Sequence, residues 1–378
     1  MYEKRDSFVE IRHQRLLEDV TARIRRVHEH LVTAGRVDDA ATIVKHACEE
    51  LLGHPRAAGE RPPFTLYPFV VEEISRVTDA ELPRYLFYRY RYDTFSQRKL
   101  LDDFPPCLQI EPSSVCNYRC VFCIQTDQQF TKKSGGHMGV MSLETFTRII
   151  DQAEGRCEAI TLASRGEPLL CRDLKKMLAY AGGKFLALKL NTNAWYLDED
   201  VSHAILQAEV NTLVFSADAV SEPTYSRFRV GGKLERVLDN IKRFREIRAA
   251  DYPHSRMITR VSGVQVPETP DLDDMEAVWG DLVDQVAFVK YNPWENTYER
   301  PVNGLTAPCS DLWRRMFVWW DGTVNPCDVD YRSTLAVGNA GSQELGALWR
   351  SEAYEGLREQ HLLRQRSQCS PCNRCTVV

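Results

Sequence analysis

The chain has no apolar run long enough to cross a bilayer: the longest, Met316 to Trp320, covers five residues, where a membrane helix takes roughly 20. No membrane contact is expected. The chain opens on Met1-Tyr-Glu-Lys-Arg-Asp with no apolar stretch behind it, so no secretory signal is read there and a cytoplasmic, reducing location is expected. An excess of basic charge is missing as well. Lys and Arg number 48 against 53 Asp and Glu, a net charge of −5, which leaves no global field to grip a phosphate backbone and makes nucleic acid an unexpected partner. Repeats of fixed period and low-complexity tracts are absent, which removes solenoids and fibrous chains. What is left is an ordinary globular composition, 43% hydrophobic and 27% charged over 378 residues, enough for two or three compact units.

Cysteine breaks this ordinariness. There are 12, and eight of them fall in two groups, Cys116, Cys120 and Cys123, then Cys309, Cys327, Cys369, Cys372 and Cys375. In a reducing compartment, thiols at short fixed spacing read as metal ligands or redox groups before they read as disulfides. Cys48, Cys107, Cys157 and Cys171 stand apart and read as small buried hydrophobes, with Cys171 the nearest of them to the expected active edge.

Three stretches follow one another along the chain. Residues 1–104 read as a helical extension. Leu16, Val20, Ile24, Val27 and Leu31 recur at helical spacing, a second helix capped by Asp38 buries Ile43, Val44, Ala47 and Leu51, and Gly53 to Pro63 is the linker candidate. In Arg84 to Tyr92 aromatics alternate with arginines. A platform for single-stranded nucleic acid has that composition, but the acidic balance favours a helix packing Tyr85, Phe87 and Tyr88 against a neighbour. Residues 105–298 switch to a βαβ rhythm. Expected strands are Cys107–Glu111, Ala159–Ala163, Phe185–Leu190, Thr212–Ser216, Ile258–Val266 and Gln285–Lys290, with helices at 142–154, 172–181, 198–208, 233–248 and 271–281. Six such strands imply a parallel sheet whose chemistry sits at the C-terminal strand ends. Residues 299–378 lose that rhythm and carry the second cysteine group.

Directly after the first expected strand stands Pro112-Ser-Ser-Val-Cys116-Asn-Tyr-Arg-Cys120-Val-Phe-Cys123. Pro112, Ser113, Ser114 and Asn117 are turn formers, so these thiols sit on a loop rather than on one face of a helix. A zinc site would want a fourth ligand, and the nearest histidine is His137. An iron–sulfur cube normally takes four thiolates, and three leave one iron open to a small chelating molecule. This C-x3-C-x2-C after a strand resembles the radical S-adenosylmethionine (radical SAM) superfamily. The resemblance implies a partial (β/α)6 TIM-like barrel and a SAM-binding [4Fe–4S] cluster on Cys116, Cys120 and Cys123. It also implies an external electron donor such as flavodoxin or ferredoxin, and a 5′-deoxyadenosyl radical that takes a hydrogen atom from substrate.

Further positions fit the resemblance singly. Gly166-Glu167-Pro168 resembles the element that meets the amino group of SAM, although Arg165 stands where many members carry another glycine. Asn191 and Asn193 after the third expected strand, and Ser216 and Asp218 after the fourth, stand where members hold ribose hydroxyls and the methionyl carboxylate. Arg229 resembles a carboxylate-binding arginine, and Phe122 and Val264 stand where adenine is covered. All of these polar groups also suit ordinary turn and cap chemistry.

The second group reads Cys309-x12-Gly322-x4-Cys327, then Cys369-x2-Cys372-x2-Cys375. It resembles the SPASM/twitch extension of the same superfamily, which implies one auxiliary [4Fe–4S] cluster on Cys309, Cys327 and two of the last three, with Cys369 and Cys372 preferred. A structural zinc knuckle uses the same donors. The expected function is hydrogen abstraction from an unactivated C–H of a small polar substrate, of sugar or aminocyclitol type, ending in oxidation of an alcohol. Lys290 or Glu295 is the candidate acceptor of the hydroxyl proton. Sugar epimerisation and ribosomal-peptide modification are the alternatives within the superfamily, and a zinc-stabilised binding protein or an electron carrier the alternatives outside it.

Overall fold

A computed structural model describes residues 5–6, 9–34, 38–54, 63–266, 272–291 and 293–377. Its sheet contains β1 (Arg5–Asp6), β2 (Cys107–Ile110), β3 (Ala159–Leu162), β4 (Ala187–Thr192), β5 (Thr212–Ser216), β6 (Ile258–Gln265), β7 (Gln285–Lys290), β8 (Met316–Val318), β9 (Thr323–Asn325) and β10 (Gly338–Asn339). The order is β1-β7-β6-β5-β4-β3-β2-β8-β9-β10. Neighbours from β2 to β7 pair parallel. Helices Leu143–Ala153, Leu174–Ala181, Glu199–Gln207, Leu234–Asp251 and Leu272–Trp279 alternate with them. This is the partial (β/α)6 barrel expected. Ser142 and Asp198 cap two of the helices by accepting from Thr145 N and Val201 N at 3.0 and 2.8 Å, meeting donors that have no partner inside the helix.

One strand sits two residues later than expected. β4 begins at Ala187 because that residue registers with Ala159, while Phe185 turns into the core. The slip carries Asn191 into the strand and leaves Asn193 just beyond its end.

The N-terminal helices Val9–Ala34, Asp39–Leu51, Pro68–Arg76 and Leu82–Tyr90 share a core of Val20, Ile24, Val44, Val70, Ile74 and Leu86. That core continues into Cys107 and Ala159, the first residues of β2 and β3. The helices therefore cover the N-terminal end of the barrel, opposite its chemical edge. Asp38 caps the second helix as expected, accepting from Ala41 N at 2.7 Å. Tyr85, Tyr88 and Tyr90 are buried, so the aromatic–arginine stretch packs inward and presents no stacking platform. Residues 55–62 of the expected linker lie outside the described residues.

Beyond residue 300 the sheet continues. β8 pairs parallel with β2, Leu108 opposite Met316, and then folds back on β9. Gly322, at φ +82°, takes the turn between them in a backbone region that side chains disfavour. The C-terminal segment is thus welded to the barrel edge by backbone pairing. Cys171 is buried in the core with its Sγ 3.8 Å from Met177 Sδ, and Cys48, Cys107 and Cys157 are buried as well. No described helix is long and apolar enough to cross a membrane.

Candidate active site and auxiliary metal centre

The loop after β2 carries Cys116, Cys120 and Cys123. Its shape is held by Gln125, whose buried amide donates to Ser114 O at 2.7 Å and Arg165 O at 2.5 Å. Gly166 makes the second close approach. A Cβ there would lie 2.4 Å from Ser113 O and 2.6 Å from Val115 O, so only glycine lets the loop after β3 lie against the cysteine loop. Burial pushes all three thiols up, Cys116 to about 12. A metal that takes them must displace their protons, so binding and proton release are one event.

On the loops after β2 and β3 and near the end of β4 are polar atoms with nothing to bond. Asn117 Nδ2, Ser164 Oγ and Asn191 Oδ1 are buried with no hydrogen-bond partner among the described residues. Buried groups in that state cost about 1–3 kcal/mol each, and a polar ligand in the barrel mouth would relieve it. Phe122 and Val264 pack in the same cluster as the three cysteines and Tyr118.

Other expected contacts have partners within the protein. Glu167 is fully buried, and its carboxylate accepts from Thr192 Oγ1 at 2.6 Å, Asn193 N at 2.8 Å and Leu169 N at 3.1 Å. It ties the end of β4 to the loop. Pro168 starts the short turn behind it. Asn193 is also engaged, donating from Nδ2 to Asn117 Oδ1 at 2.9 Å. Asp218 and Arg229 were separate candidates in the sequence, but they form a buried ion pair at 2.5 Å. Two opposite charges in a low-dielectric mouth neutralise one another. Ser216 ends β5 opposite Ser262.

Glu295 reaches the mouth. Its charge acts on the Cys123 thiol, Oε1 accepts from Tyr291 OH, and Oε2 is buried and unpartnered among the described residues. Lys290 ends β7, its side chain lying outside the described residues.

Arg165, which stands where the resemblance expects glycine, joins two parts of the protein. The guanidinium is buried against Glu111 at 2.6 Å, donates to Tyr331 O at 2.9 Å and lies 4.1 Å over the Trp319 ring. It thereby fastens the loop before Gly166 to the C-terminal unit. Asp127 adds a second fastening, accepting from Tyr331 OH at 2.8 Å and pairing with Arg332.

In the C-terminal unit one cavity is lined by Cys309, Cys327, Cys372 and Cys375, with His361 and Arg366. Cys369 does not line it. Its thiol donates to Gln360 Oε1 at 2.6 Å, so the pair assembled with Cys309 and Cys327 is Cys372 and Cys375, against the preferred Cys369 and Cys372. The cause is the tail's path. Arg366 donates to Cys372 O and Cys375 O at 3.0 and 2.8 Å, wrapping the last turn about its guanidinium and turning both later thiols inward. Four thiols about one enclosed space suit a cube with no open position.

Comparison with known proteins agrees with this arrangement. The profile of the radical SAM superfamily matches residues 110–259. The SPASM profile, an iron–sulfur cluster-binding domain, matches residues 309–376, so the chain carries a radical SAM domain followed by a SPASM domain. Together the two domains imply SAM and two [4Fe–4S] clusters. An AdoMet-dependent heme synthase of Methanosarcina barkeri is 27% identical over 150 residues, 39% of this chain and 41% of that protein. The chain thus spans under half the length of that curated relative. BtrN, solved with AdoMet and 2-DOIA, superposes with TM-score 0.51 at 16% identity, over 74% of this chain and 95% of its own. Streptococcus suis SuiB bound to the precursor peptide SuiA gives TM-score 0.50 at 16% identity, over 85% of this chain and 77% of its own. Both likenesses are of fold.

Proposed function

We propose that this radical SAM enzyme oxidises an alcohol of a small polar substrate, of sugar or aminocyclitol type, to a carbonyl. When bound, the clusters and SAM supply a reducing electron, a radical that abstracts hydrogen, and an acceptor for the electron the substrate must finally lose. Cys116, Cys120 and Cys123 would hold the first cluster; Cys309, Cys327, Cys372 and Cys375 would hold the second. The observation that carries the reading is Glu295. Its Oε2 is buried and unpartnered among the described residues, neighbouring Trp294 donates to Phe122 O of the cysteine loop at 3.1 Å, and Tyr291 OH donates to the other oxygen, which supports a role in taking the hydroxyl proton.

Loss of a hydrogen atom, a proton and an electron takes an alcohol to a carbonyl. Glu295 serves only the proton, so its removal should leave radical formation intact. The N-terminal segment supports a small substrate: its described elements are all helical except for one strand, the two-residue β1 on the edge of β7. A leader-peptide module of helices and strands is not built from these.

The test is turnover of a panel of aminocyclitols, sugars and short peptides by the reduced enzyme in heavy water. A carbonyl product equimolar with 5′-deoxyadenosine supports oxidation. Deuterium gained at a substrate carbon would show epimerisation instead, and a cross-linked peptide would replace the substrate class. For Glu295→Gln the expected result is retained SAM cleavage with product formation down about 10²–10⁴-fold, the usual worth of a positioned base.

A further inference from the structure

We propose that His28, Glu49 and His54 form a zinc site that joins the first two helices, separate from both cysteine groups. His28 lies on helix Val9–Ala34, Glu49 on helix Asp39–Leu51, and His54 three residues past that helix. One donor atom from each lies within 4.8 Å of the others. Zinc bonds imidazole nitrogen and carboxylate oxygen at about 2.0–2.1 Å, so tetrahedral donors sit about 3.4 Å apart and two bound imidazoles have ring centres about 5 Å apart. The observed values are 3.6 Å between His28 Nε2 and Glu49 Oε1 and 5.0 Å between the rings of His28 and His54. The rings stand edge to face at 79°, which keeps them from stacking across the space an ion would fill.

A second observation points the same way. His28 Nε2 is buried and has no hydrogen-bond partner among the described residues. The other Glu49 oxygen lies 3.2 Å from His46 Nδ1, an outer contact of the kind that orients a ligating carboxylate. Exposed His54 leaves the fourth position open to water, and two nitrogens with one oxygen suit zinc among the common divalent ions. Lys45 Nζ, 3.8 Å from Glu49 Oε1, competes for that oxygen, but its side chain is nearly half exposed and can withdraw.

The test uses the iron-loaded protein. It is dialysed against zinc alone, unbound metal is removed, and zinc and iron per chain are measured for wild type, His28→Gln, His54→Gln and Lys45→Met. One zinc per chain with iron unchanged is expected for wild type. The histidine variants should bind at least roughly tenfold more weakly, since even outer-contact changes cost that much, and Lys45→Met should bind more tightly. Equal zinc in the histidine variants, zinc gained only as iron is lost, or no zinc in wild type would each overturn the site.

A different observation supports a second inference, which rests on the auxiliary cluster assigned above. We infer that His361 donates a hydrogen bond from Nε2–H to that cluster. Its Nδ1 accepts from Cys309 N at 3.1 Å, and a neutral imidazole that accepts at one nitrogen carries its proton on the other. That nitrogen is buried without a partner in a residue that lines the four-cysteine cavity. Ligation through Nε2 would move the proton to Nδ1, against the Cys309 N–H. Hydrogen bonds to cluster sulfur raise the reduction potential.

An EPR-monitored redox titration in a Cys120→Ala background, which isolates the auxiliary cluster, provides the readout. Four irons per chain in that parent verify the underlying assignment, and their absence would sink that assignment rather than the role of His361. Given them, His361→Ala should shift the potential downward and His361→Gln should restore part of the shift. An unchanged potential with iron retained, or a strongly coupled histidine nitrogen in the unsubstituted protein's hyperfine spectrum, would refute the donor role.

Discussion

The two cysteine centres are built on opposite plans. In the barrel mouth three thiols come from eight consecutive residues on one loop, and Asn117 Nδ2, Ser164 Oγ and Asn191 Oδ1 have no hydrogen-bond partner among the described residues. In the C-terminal unit four thiols come from positions 309, 327, 372 and 375 and close on one cavity. A local loop can offer three donors and leave a coordination position for a ligand; a centre gathered from distant segments can be closed. An open site does chemistry on what enters, whereas a closed one holds charge or structure.

The largest effect that sharpens this contrast is expected from Cys120→Ala. Iron should fall from about eight to about four per chain, with SAM cleavage abolished, as read by iron analysis and 5′-deoxyadenosine formation. At the closed centre, Cys375→Ala should also cost about four irons, while Cys369→Ala keeps the wild-type content. The reverse pattern would break the assignment drawn from the cavity lining.

The joint between the centres is expected to matter next. Arg165→Met strands the buried Glu111 carboxylate, a change that costs about 3–5 kcal/mol where a buried pair is broken, and should lower the melting temperature. Adding Glu111→Gln should recover much of that loss. If Arg165→Met alone is neutral, the two centres are not fastened here.

The smallest effect concerns a region remote from both centres. Lys189, on β4 near Glu73, Arg260 and Arg315, is lowered by burial from 10.5 to about 8. The unfolded chain therefore binds the extra proton between about pH 8 and 10.5, so stability rises with pH across that window. Lys189→Met should flatten this part of the pH–stability curve and leave iron content unchanged.

Much of this was legible in the chain, and the reasons differ by element. Strands Thr212–Ser216 and Gln285–Lys290 were readable to the residue because β-branched and aromatic residues end abruptly at polar ones. β4 was misplaced by two residues because Phe185 is as apolar as a strand residue yet serves the core. The C-x3-C-x2-C loop was legible because its ligands are neighbours in sequence. Arg165 gave no signal, since its partners Glu111 and Tyr331 lie 54 and 166 residues away.

By itself, then, the sequence determined the barrel's rhythm, the open three-thiol loop and the superfamily, because each depends on side chains close along the chain. Only the tertiary structure decided that Cys375 rather than Cys369 faces the auxiliary cavity, that Asp218 neutralises Arg229, and that the helices cover the end of the barrel away from the chemistry. Those choices depend on which distant groups meet in a low-dielectric interior, where an unmatched charge or donor is too costly to leave alone.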